Sequence, residues 1–275
     1  MEGKLQRRVQ RYGWDLAAAQ YEPLWQVQLA DAQSKLMACA ALVPGETVLD
    51  VACGTGLITF EAAAAVSPRG EALGVDLSGQ MIEVARQQAL RRQVDNVHFA
   101  RMDAEQLDLP DARFDVALCA LGLMYVPDPA QAVREMRRVL RPGGRMVIAV
   151  WGERARCGWA DLFSIVDAEV SSEVCPLFFR LGQQDALQRL CLAEQFEDVT
   201  QHRISTTLAY ADADAACDAA FVGGPVALAW SRFNEAVKAR VCARYLQSIS
   251  AFRHDAGFHI PGEFVIAAAT VPGAQ

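Results

Sequence analysis

Three aspartates stand where short apolar runs end, namely Asp50, Asp76 and Asp103. The first run leads into a turn containing Gly54 and Gly56, which lets backbone N–H groups face a ligand. An ionised carboxylate accepts two hydrogen bonds at once, so an acid after the second run suits the paired hydroxyls of a ribose. The acids are close to the turn, which contains no Lys or Arg, so the pattern favours a neutral or cationic ligand over a phosphate.

Other interpretations of the same residues are a purely structural turn and a dinucleotide site. The glycines can simply terminate a strand, and the acids can cap the helices that follow. A dinucleotide site requires Gly-x-Gly-x-x-Gly. Counted from Gly54, the third glycine position holds Thr59, and counted from Ala52 it holds Leu57. The turn also lacks the lysine of a nucleotide P-loop, so neither nucleotide motif is present.

The three aspartates can bind one ligand only if a sheet brings the ends of their strands together. Five apolar runs predict strands, at 48–51, 71–76, 97–102, 114–120 and 146–151. Helix-compatible segments separate them, and such alternation predicts a parallel, doubly wound α/β sheet with right-handed crossovers. Its ligands bind at the carboxyl ends of the strands. Two later strands, at 199–210 and 263–271, predict an edge hairpin, which gives seven strands with the last one antiparallel.

Helical segments flank the predicted sheet. Residues 4–41 are rich in helix formers and predict one or two helices with a break near Pro23. Helical stretches at 212–221 and 226–250 separate the two late strands. We therefore expect three parts: a helical lid at 1–41, a binding domain at 42–210 and 258–275, and a helical cap at 211–257.

Composition indicates small-molecule chemistry. The chain has 275 residues, 52% of them hydrophobic, and a net charge of −7, so its overall field repels nucleic acid and anionic membranes. The eight cysteines form no Cys-x-x-Cys and no Cys/His cluster at metal spacing, which predicts no metal site and a reducing environment. Neither a signal peptide nor a membrane span is recognisable. We expect a cytoplasmic protein, with a homodimer as one option for its assembly.

The motifs together resemble class I S-adenosylmethionine-dependent methyltransferases. They are VLDVACGTG at 48–56, GVDLS at 74–78, DAE at 103–105, FDVALC at 114–119 and VLRPGG at 139–144. The resemblance covers about residues 10–152 and is nearest to the ubiquinone and menaquinone C-methyltransferases and related small-molecule enzymes. It implies a Rossmann-like fold, S-adenosylmethionine as cofactor and S-adenosylhomocysteine as product. Ala52 replaces the first glycine of the fullest family pattern.

The resemblance also implies a role for each motif residue. Asp50 would lie at the methionine end of the cofactor, and Asp76 would hold the ribose hydroxyls. The turn residues that surround the methionine end are Gly54, Thr55 and Gly56. The resemblance places Leu77, Met81, Asp103 and Ala104 around the adenine. It further implies a backbone contact from Cys119 and closure over the cofactor by Tyr21.

A sulfonium methyl is already activated, so the main task is to align an O, N, C or S nucleophile for in-line displacement and to exclude water. If a base is needed, the candidates are His254, His259 and Tyr125. Large apolar side chains on the expected substrate side predict a flat, hydrophobic or aromatic acceptor. The residues expected there are Trp25, Met124, Tyr125, Trp151, Phe178 and Phe221.

Two alternative functions keep the same cofactor. One is thiol or arsenic methylation through cysteines such as Cys157 and Cys175, which requires these two to lie close together. The other is a non-catalytic subunit that binds the cofactor without transferring its methyl group.

Overall fold

The computed structural model describes residues 3–170, 175 and 177–273. Its strands are β1 (Thr47–Val51), β2 (Glu71–Asp76), β3 (Val97–Arg101), β4 (Phe114–Ala120), β5 (Leu140–Trp151), β6 (Glu197–Tyr210), β7 (Arg253–His254) and β8 (Gly257–Thr270). Its helices are α1 (Gly3–Ala40), α2 (Leu57–Val66), α3 (Gly79–Arg92), α4 (Pro129–Val139), α5 (Asp161–Asp167), α6 (Ala186–Ala193), α7 (Ala213–Phe221), α8 (Ala227–Arg232) and α9 (Glu235–Ser248). The chain termini at 1–2 and 274–275, which the predicted lid and binding domain include, lie outside the described residues.

All the strands belong to one sheet, with the order β3-β2-β1-β4-β5-β8-β6 and the short β7 paired to β8. Strands β1 to β5 pair in parallel, whereas β8 pairs antiparallel with both β5 and β6. This arrangement confirms the predicted doubly wound α/β fold with an antiparallel last strand. The carboxyl ends of β1, β2 and β4 are at the same end of the parallel strands. The chain order of the strands reverses between β1 and β4, and ligands of such sheets bind at this point.

Buried apolar residues account for the central strands. Val48 and Leu49 of β1 and Val116 of β4 are fully buried, as expected of parallel strands covered on both faces. The following helices begin at the expected caps: the Ser78 hydroxyl accepts from Met81 N–H at 3.1 Å, and Asp128 accepts from Gln131 N–H at 3.0 Å. The apolar runs therefore form the buried strands, and the capping residues begin the helices, as the sequence predicts for β1 to α4.

Helix α1 corrects one prediction, because it continues through Pro23 without the expected break. An interior proline removes one backbone hydrogen bond and is unfavourable on its own. Here the helix packs against α3, α8 and the strands β5 and β8. This tertiary packing outweighs the local preference of a single residue.

Two further boundaries differ from the prediction. The predicted helix 226–250 is two helices, because Asn234 caps α9 by accepting from Val237 N–H at 3.0 Å. Strand β5 begins at Leu140 rather than Met146, so it includes residues 140–145 that precede the predicted strand. Its register against β4 is irregular, and Gly143 has a positive φ of 76°. In the described part of the chain, no helix combines the length and apolar character needed to span a bilayer.

Candidate active site

The turn between β1 and α2 has the left-handed backbone that its small residues permit. Ala52, Gly54 and Gly56 have φ values of 57°, 55° and 90°. A side chain at Gly56 would also come within 2.8 Å of the Phe99 ring. Substitution at this position therefore combines backbone strain with a steric clash. The glycine is required both for the turn and for the packing of β3 against it.

The turn after β4 makes close contact with the turn after β1. A Cβ atom at Gly122 would lie 2.3 Å from the Cβ of Ala52, so this approach requires glycine. Leu121 beside it has a positive φ of 63°, which is unusual for a branched side chain. Such backbone conformations persist where the surrounding structure enforces them, and they are frequent at functional sites.

The Asp76 carboxylate connects the first two strand ends. Gly54 N–H donates to Oδ2 at 2.9 Å, and Ser78 N–H donates to Oδ1 at 2.8 Å. Burial raises the pKa of Asp76 to about 6, although these two backbone donors favour the ionised form. Each oxygen retains acceptor capacity, so this carboxylate can still bind two hydroxyl groups of one ligand.

Asp50 is 1% exposed, and only one of its two carboxylate oxygens has a hydrogen-bond partner among the described residues. The Thr59 hydroxyl donates to Oδ2 at 2.7 Å, whereas Oδ1 has no hydrogen-bond partner among the described residues. Burial raises the pKa of Asp50 to about 7. The buried hydroxyl of Thr55 also lacks a partner in the same region of the described chain. Unsatisfied buried oxygens of this kind suit a ligand that brings a cationic or donor group.

A cavity of about 780 Å³, open to solvent, lies over these strand ends, and we name it the strand-end cavity. Its lining includes seven of the residues expected to bind a cofactor: Tyr21, Gly54, Asp76, Leu77, Met81, Asp103 and Ala104. The other four, Asp50, Thr55, Gly56 and Cys119, are outside the lining. Their neighbours Ala52, Gly54 and Ala120 do line it.

The donors and acceptors of the strand-end cavity fit S-adenosylmethionine. Asp76 can accept from ribose hydroxyls. The Asp50 carboxylate is outside the lining but interacts electrostatically with the lining residues Asp76 and Tyr21, so it adds negative charge that suits the ammonium end of a methionine. The apolar side chains of Leu77 and Met81 suit a flat base. The residues present are therefore compatible with this cofactor, although their individual roles stay predictions.

Helix α1 contributes side chains to this cavity that the motifs did not indicate. The Arg7 Nε lies 3.1 Å from Oδ2 of Asp103, and the same guanidinium contacts the buried Glu105. Burial raises the pKa of Asp103, and Arg7 opposes this shift. Gln10, one helical turn after Arg7, lines the same cavity. The spacing of Arg7 and Gln10 was the available signal, but spacing alone does not indicate which helix face meets the sheet.

Aromatic rings from α1 and from the segment that follows β4 line one side of the strand-end cavity. The Trp14 ring lies edge-on to Tyr21 at 5.8 Å and to Tyr125 at 5.1 Å between centroids. Burial raises the pKa of both tyrosines well above its ordinary value, so both phenols are neutral at physiological pH. Trp14, Tyr21, Leu121 and Tyr125 also line a second cavity, and we call these four residues the shared wall.

The second cavity measures about 420 Å³ including its opening to solvent, and we name it the aromatic cavity. Five residues expected on the substrate side line it: Trp25, Met124, Tyr125, Trp151 and Phe178. Phe221 does not. It is fully buried and stacks on Trp230 at 4.6 Å, because it belongs to the separate packing of α7, α8 and α9. Trp159 completes the aromatic lining.

The two expected histidine bases lie outside this arrangement. His254 and His259 stack on each other at 3.9 Å between centroids, at the β7–β8 hairpin, and His254 is largely exposed. Neither belongs to the lining of the strand-end or aromatic cavity. Tyr125 is the one proposed base that the structure brings to both cavities.

The two cysteines of the thiol alternative have different surroundings. The Cys157 thiol lies 4.0 Å from the Glu263 carbonyl, while Cys175 accepts from the Gln10 amide at 3.6 Å. Burial raises their pKa values to about 11 and about 12. Protonated thiols are poor nucleophiles, and neither cysteine lines the two cavities, so the geometry gives this alternative no support. No group of three potential His, Cys, Asp or Glu metal ligands occurs within 3–170, 175 and 177–273.

Comparison with known proteins adds family information. Residues 42–202 match the family described as a methyltransferase domain. The chain is 40% identical over 152 residues to the ubiquinone/menaquinone biosynthesis C-methyltransferase of Ectopseudomonas mendocina, a match that covers 55% of this chain and 58% of that protein. The corresponding protein of Hahella chejuensis is 44% identical over 54% of this chain and 59% of its own length. The similarity thus spans little more than half of each relative.

A solved structure shares the fold over a longer stretch. The crystal structure of a proposed methyltransferase from Bacillus halodurans C-125 aligns with a TM-score of 0.63 at 22% identity, and the alignment covers 88% of this chain and 99% of the other. At this identity, the similarity establishes the architecture alone.

Proposed function

Since the chain belongs to the methyltransferase-domain family of class I S-adenosylmethionine-dependent enzymes, we propose that it transfers the methyl group of this cofactor to a small, hydrophobic or aromatic metabolite. The observation that carries the proposal is the shared wall. Trp14, Tyr21, Leu121 and Tyr125 line both the strand-end cavity and the aromatic cavity. A donor in the first cavity and an acceptor in the second would therefore be neighbours, as in-line displacement requires.

The side chains of this protein would bind, orient and shield the reactants. Asp76 would hold the ribose, and Asp50 would supply negative charge at the ammonium end. The bound cofactor supplies a methyl group on a positively charged sulfur, which needs no further activation. Trp14, Tyr21 and Tyr125 would exclude water from the contact between the two ligands.

Tyr125 is the residue that we propose to orient the acceptor. Burial raises the pKa of its phenol well above the usual value, so at neutral pH it is a hydrogen-bond donor rather than a base. It would orient an oxygen of the acceptor beside the reacting atom. A carbon acceptor would then need to carry an electron-releasing oxygen of its own, as a hydroxylated ring does.

The named relatives favour carbon as the acceptor atom. The Ectopseudomonas and Hahella proteins are C-methyltransferases of ubiquinone and menaquinone biosynthesis. We therefore propose a ring carbon of a reduced, hydroxylated quinone-type molecule ahead of O, N or S acceptors. The methyl–sulfur bond breaks as the carbon–carbon bond forms, and the displaced ring proton passes to water at the opening of the strand-end cavity. We also propose the division into a lid at 1–41, a binding domain at 42–210 and 258–275, and a cap at 211–257, in a cytoplasmic protein that can form homodimers.

Calorimetry with S-adenosylhomocysteine and transfer of a labelled methyl group to a panel of hydroxylated aromatics test the proposal. Asp76→Ala removes two acceptor oxygens, so we expect cofactor affinity to fall by roughly 100-fold. Asp108→Ala is the matched control, because Asp108 is exposed and outside the strand-end cavity. No binding by the wild-type protein, or unchanged binding in Asp76→Ala, would contradict the assignment. Binding without transfer to any acceptor would instead support the non-catalytic alternative.

A further inference from the structure

Strand β6 forms one edge of the sheet and has a row of outward-facing backbone groups. It pairs only with β8, so alternate residues must direct their N–H and C=O groups away from the sheet. Gly152, directly after β5, donates to the Glu263 carbonyl, so the backbone of Glu263 faces β5. Ser205 of β6 lies opposite Glu263 and therefore directs its own backbone groups outward. The alternation has a period of two, so the outward positions are Gln201, Arg203, Ser205 and Thr207.

Two glutamine side chains cover the ends of this row, and we call them the glutamine caps. The Gln28 amide of α1 donates to the Ala209 carbonyl at 2.7 Å and accepts from the Ala209 N–H at 3.1 Å. The Gln188 amide of α6 donates to the Val199 carbonyl at 3.4 Å. Between these caps, no hydrogen bond within 3–170, 175 and 177–273 reaches the outward backbone groups. We name residues 201–207 the open edge.

The open edge lacks the features that usually protect an exposed strand. It contains no Lys, Pro, Asp or Glu, and the irregular register of β6 lies before residue 200. Its arginine, Arg203, lies 2.7 Å from the buried carboxylate of Glu263, which offsets its charge. At the opposite edge of the sheet, β3 has only 5 residues, and Arg86 donates to the Phe99 carbonyl at 2.8 Å. The open edge is therefore the edge that is suited to pairing with another strand.

The open edge fits a second copy of itself in one antiparallel register. When every outward residue is paired, Ile204 lies opposite the second copy's Ile204 on a two-fold axis. Ser205 then lies opposite the second copy's Arg203, and the outward residues form about eight hydrogen bonds between the strands. The registers on either side would pair one outward residue of each copy with a position that a glutamine cap already covers. One of these registers also sets Arg203 directly opposite its counterpart, which is unfavourable.

We propose that the open edge is the interface of a homodimer, in which β6 pairs antiparallel with β6 of a second copy and the sheet continues through both subunits. This inference rests on the homodimer included in the proposed function and identifies its surface. The backbone hydrogen bonds supply the affinity. The glutamine caps and the central pair of Ile204 side chains set the register.

Sedimentation equilibrium of the full chain over about 1–100 μM tests the homodimer. We expect twice the mass of one chain at the upper end of this range. Ser205→Pro removes an outward N–H and no hydrogen bond to β8, so it should raise the dissociation constant by at least about tenfold. Ser205→Ala keeps the N–H and is the matched control, with an expected change below about twofold. Circular dichroism and thermal unfolding verify that both variants are folded.

A disulfide between the two copies tests the register. Opposite residues in a non-hydrogen-bonded antiparallel pair have Cα atoms about 4.5 Å apart, which a disulfide can span. Glutathione disulfide is the oxidant: it takes two electrons and two protons from the paired thiols and becomes two molecules of glutathione. Ile204→Cys should give a covalent dimer on a non-reducing gel. His202→Cys should not, because residue 202 lies opposite the second copy's Thr206, and the wild-type chain controls for the eight native cysteines.

A wild-type monomer throughout the concentration range would overturn the inference. A dimer that Ser205→Pro leaves intact would overturn it as well, and so would a disulfide in His202→Cys without one in Ile204→Cys. Binding of S-adenosylhomocysteine is measured separately and reports on the methyl-transfer part of the proposed function. Failure of that binding and absence of the dimer are therefore distinguishable.

Discussion

At the scale of single residues, we expect the buried acids Asp50 and Asp76 to make the free energy of unfolding depend on pH. Burial raises their pKa values from an ordinary 3.8 to about 7 and about 6. A raised folded-state pKa stabilises the fold below pH 3.8, and this contribution is lost as the pH rises through 6 to 7. A cationic ligand favours the ionised form and therefore acts in the opposite direction.

We accordingly predict that the melting temperature of the free protein contains a component that decreases between pH 4 and pH 7, while the increase produced by S-adenosylmethionine grows over pH 6 to 8. Thermal unfolding with and without the cofactor measures both quantities. In Asp50→Asn the pH dependence above 6 should be reduced, because the higher of the two titrations is absent. An identical cofactor effect at pH 5.5 and pH 8 would contradict this role of the buried acids.

Tyr125→Phe separates two roles of the phenol. Because its pKa is raised well above the ordinary value, Tyr125 should act as a neutral donor. We expect kcat for methyl transfer to fall by about tenfold, with KM changed little and with the same ratio to wild type from pH 6 to pH 9. A ratio that varies with pH would instead indicate proton abstraction by Tyr125.

At the scale of elements, α1 is attached to the loop that presents Asp76. The Ser78 hydroxyl donates to Asp15 of α1 at 2.6 Å, and Gln80 N–H donates to the same oxygen at 3.2 Å. Asp15 therefore supports the first turn of α3 from outside, in addition to the cap that Ser78 provides. Through this contact, the position of the helix affects the Asp76 carboxylate, for which we propose ribose binding.

Asp15→Ala should weaken S-adenosylhomocysteine binding by about three- to tenfold and reduce the free energy of unfolding by about 1 kcal/mol. Hydrogen exchange in residues 3–20 should become faster. Asp31→Ala provides the comparison, because Asp31 is on the same helix but accepts from the Thr206 hydroxyl at 2.7 Å, away from Asp76. Equal effects of the two changes would indicate a general loss of helix stability.

Features that depend on residues close together in the sequence were predicted correctly, whereas features that depend on contacts between distant residues were not. Buried runs, glycine turns and caps such as Ser78 depend on neighbouring residues, so the sheet and the acids at its strand ends were predictable. The continuity of α1 through Pro23 depends on contacts with distant elements. The same applies to Arg7, whose partner Asp103 is far away in sequence.

The positions of the aromatic residues in the site also depend on long-range contacts that the sequence does not reveal. Their abundance predicted an apolar cavity. It could not distinguish Trp151, which lines that cavity, from Phe221, which packs on Trp230 and Tyr245 instead. Likewise, the sequence offered His254 and His259 as bases on residue type alone. Their exclusion from both cavities follows from the β7–β8 pairing, which is a long-range property of the sheet.

At the scale of the whole molecule, one helix closes both cavities. Trp14 and Tyr21 of α1 line the strand-end cavity and the aromatic cavity together, so a ligand that fixes α1 for one cavity also prepares the other. By linkage, the two affinities must increase reciprocally. We predict that S-adenosylhomocysteine slows hydrogen exchange in residues 3–25 and 120–127 and leaves α9 unchanged. Uniform protection throughout the chain would contradict this coupling and indicate general stabilisation.

Some elements line only one of the two cavities, so one cavity can be redesigned without the other. Trp159 and Leu162, before and in α5, contact only the aromatic cavity, whereas Trp14 and Tyr21 belong to both. Changes near α5 can therefore alter the accepted molecule and leave the methyl donor undisturbed. Changes in α1 cannot separate the two. An evolving or engineered enzyme of this architecture would acquire new acceptors most easily by varying the segment that follows β5.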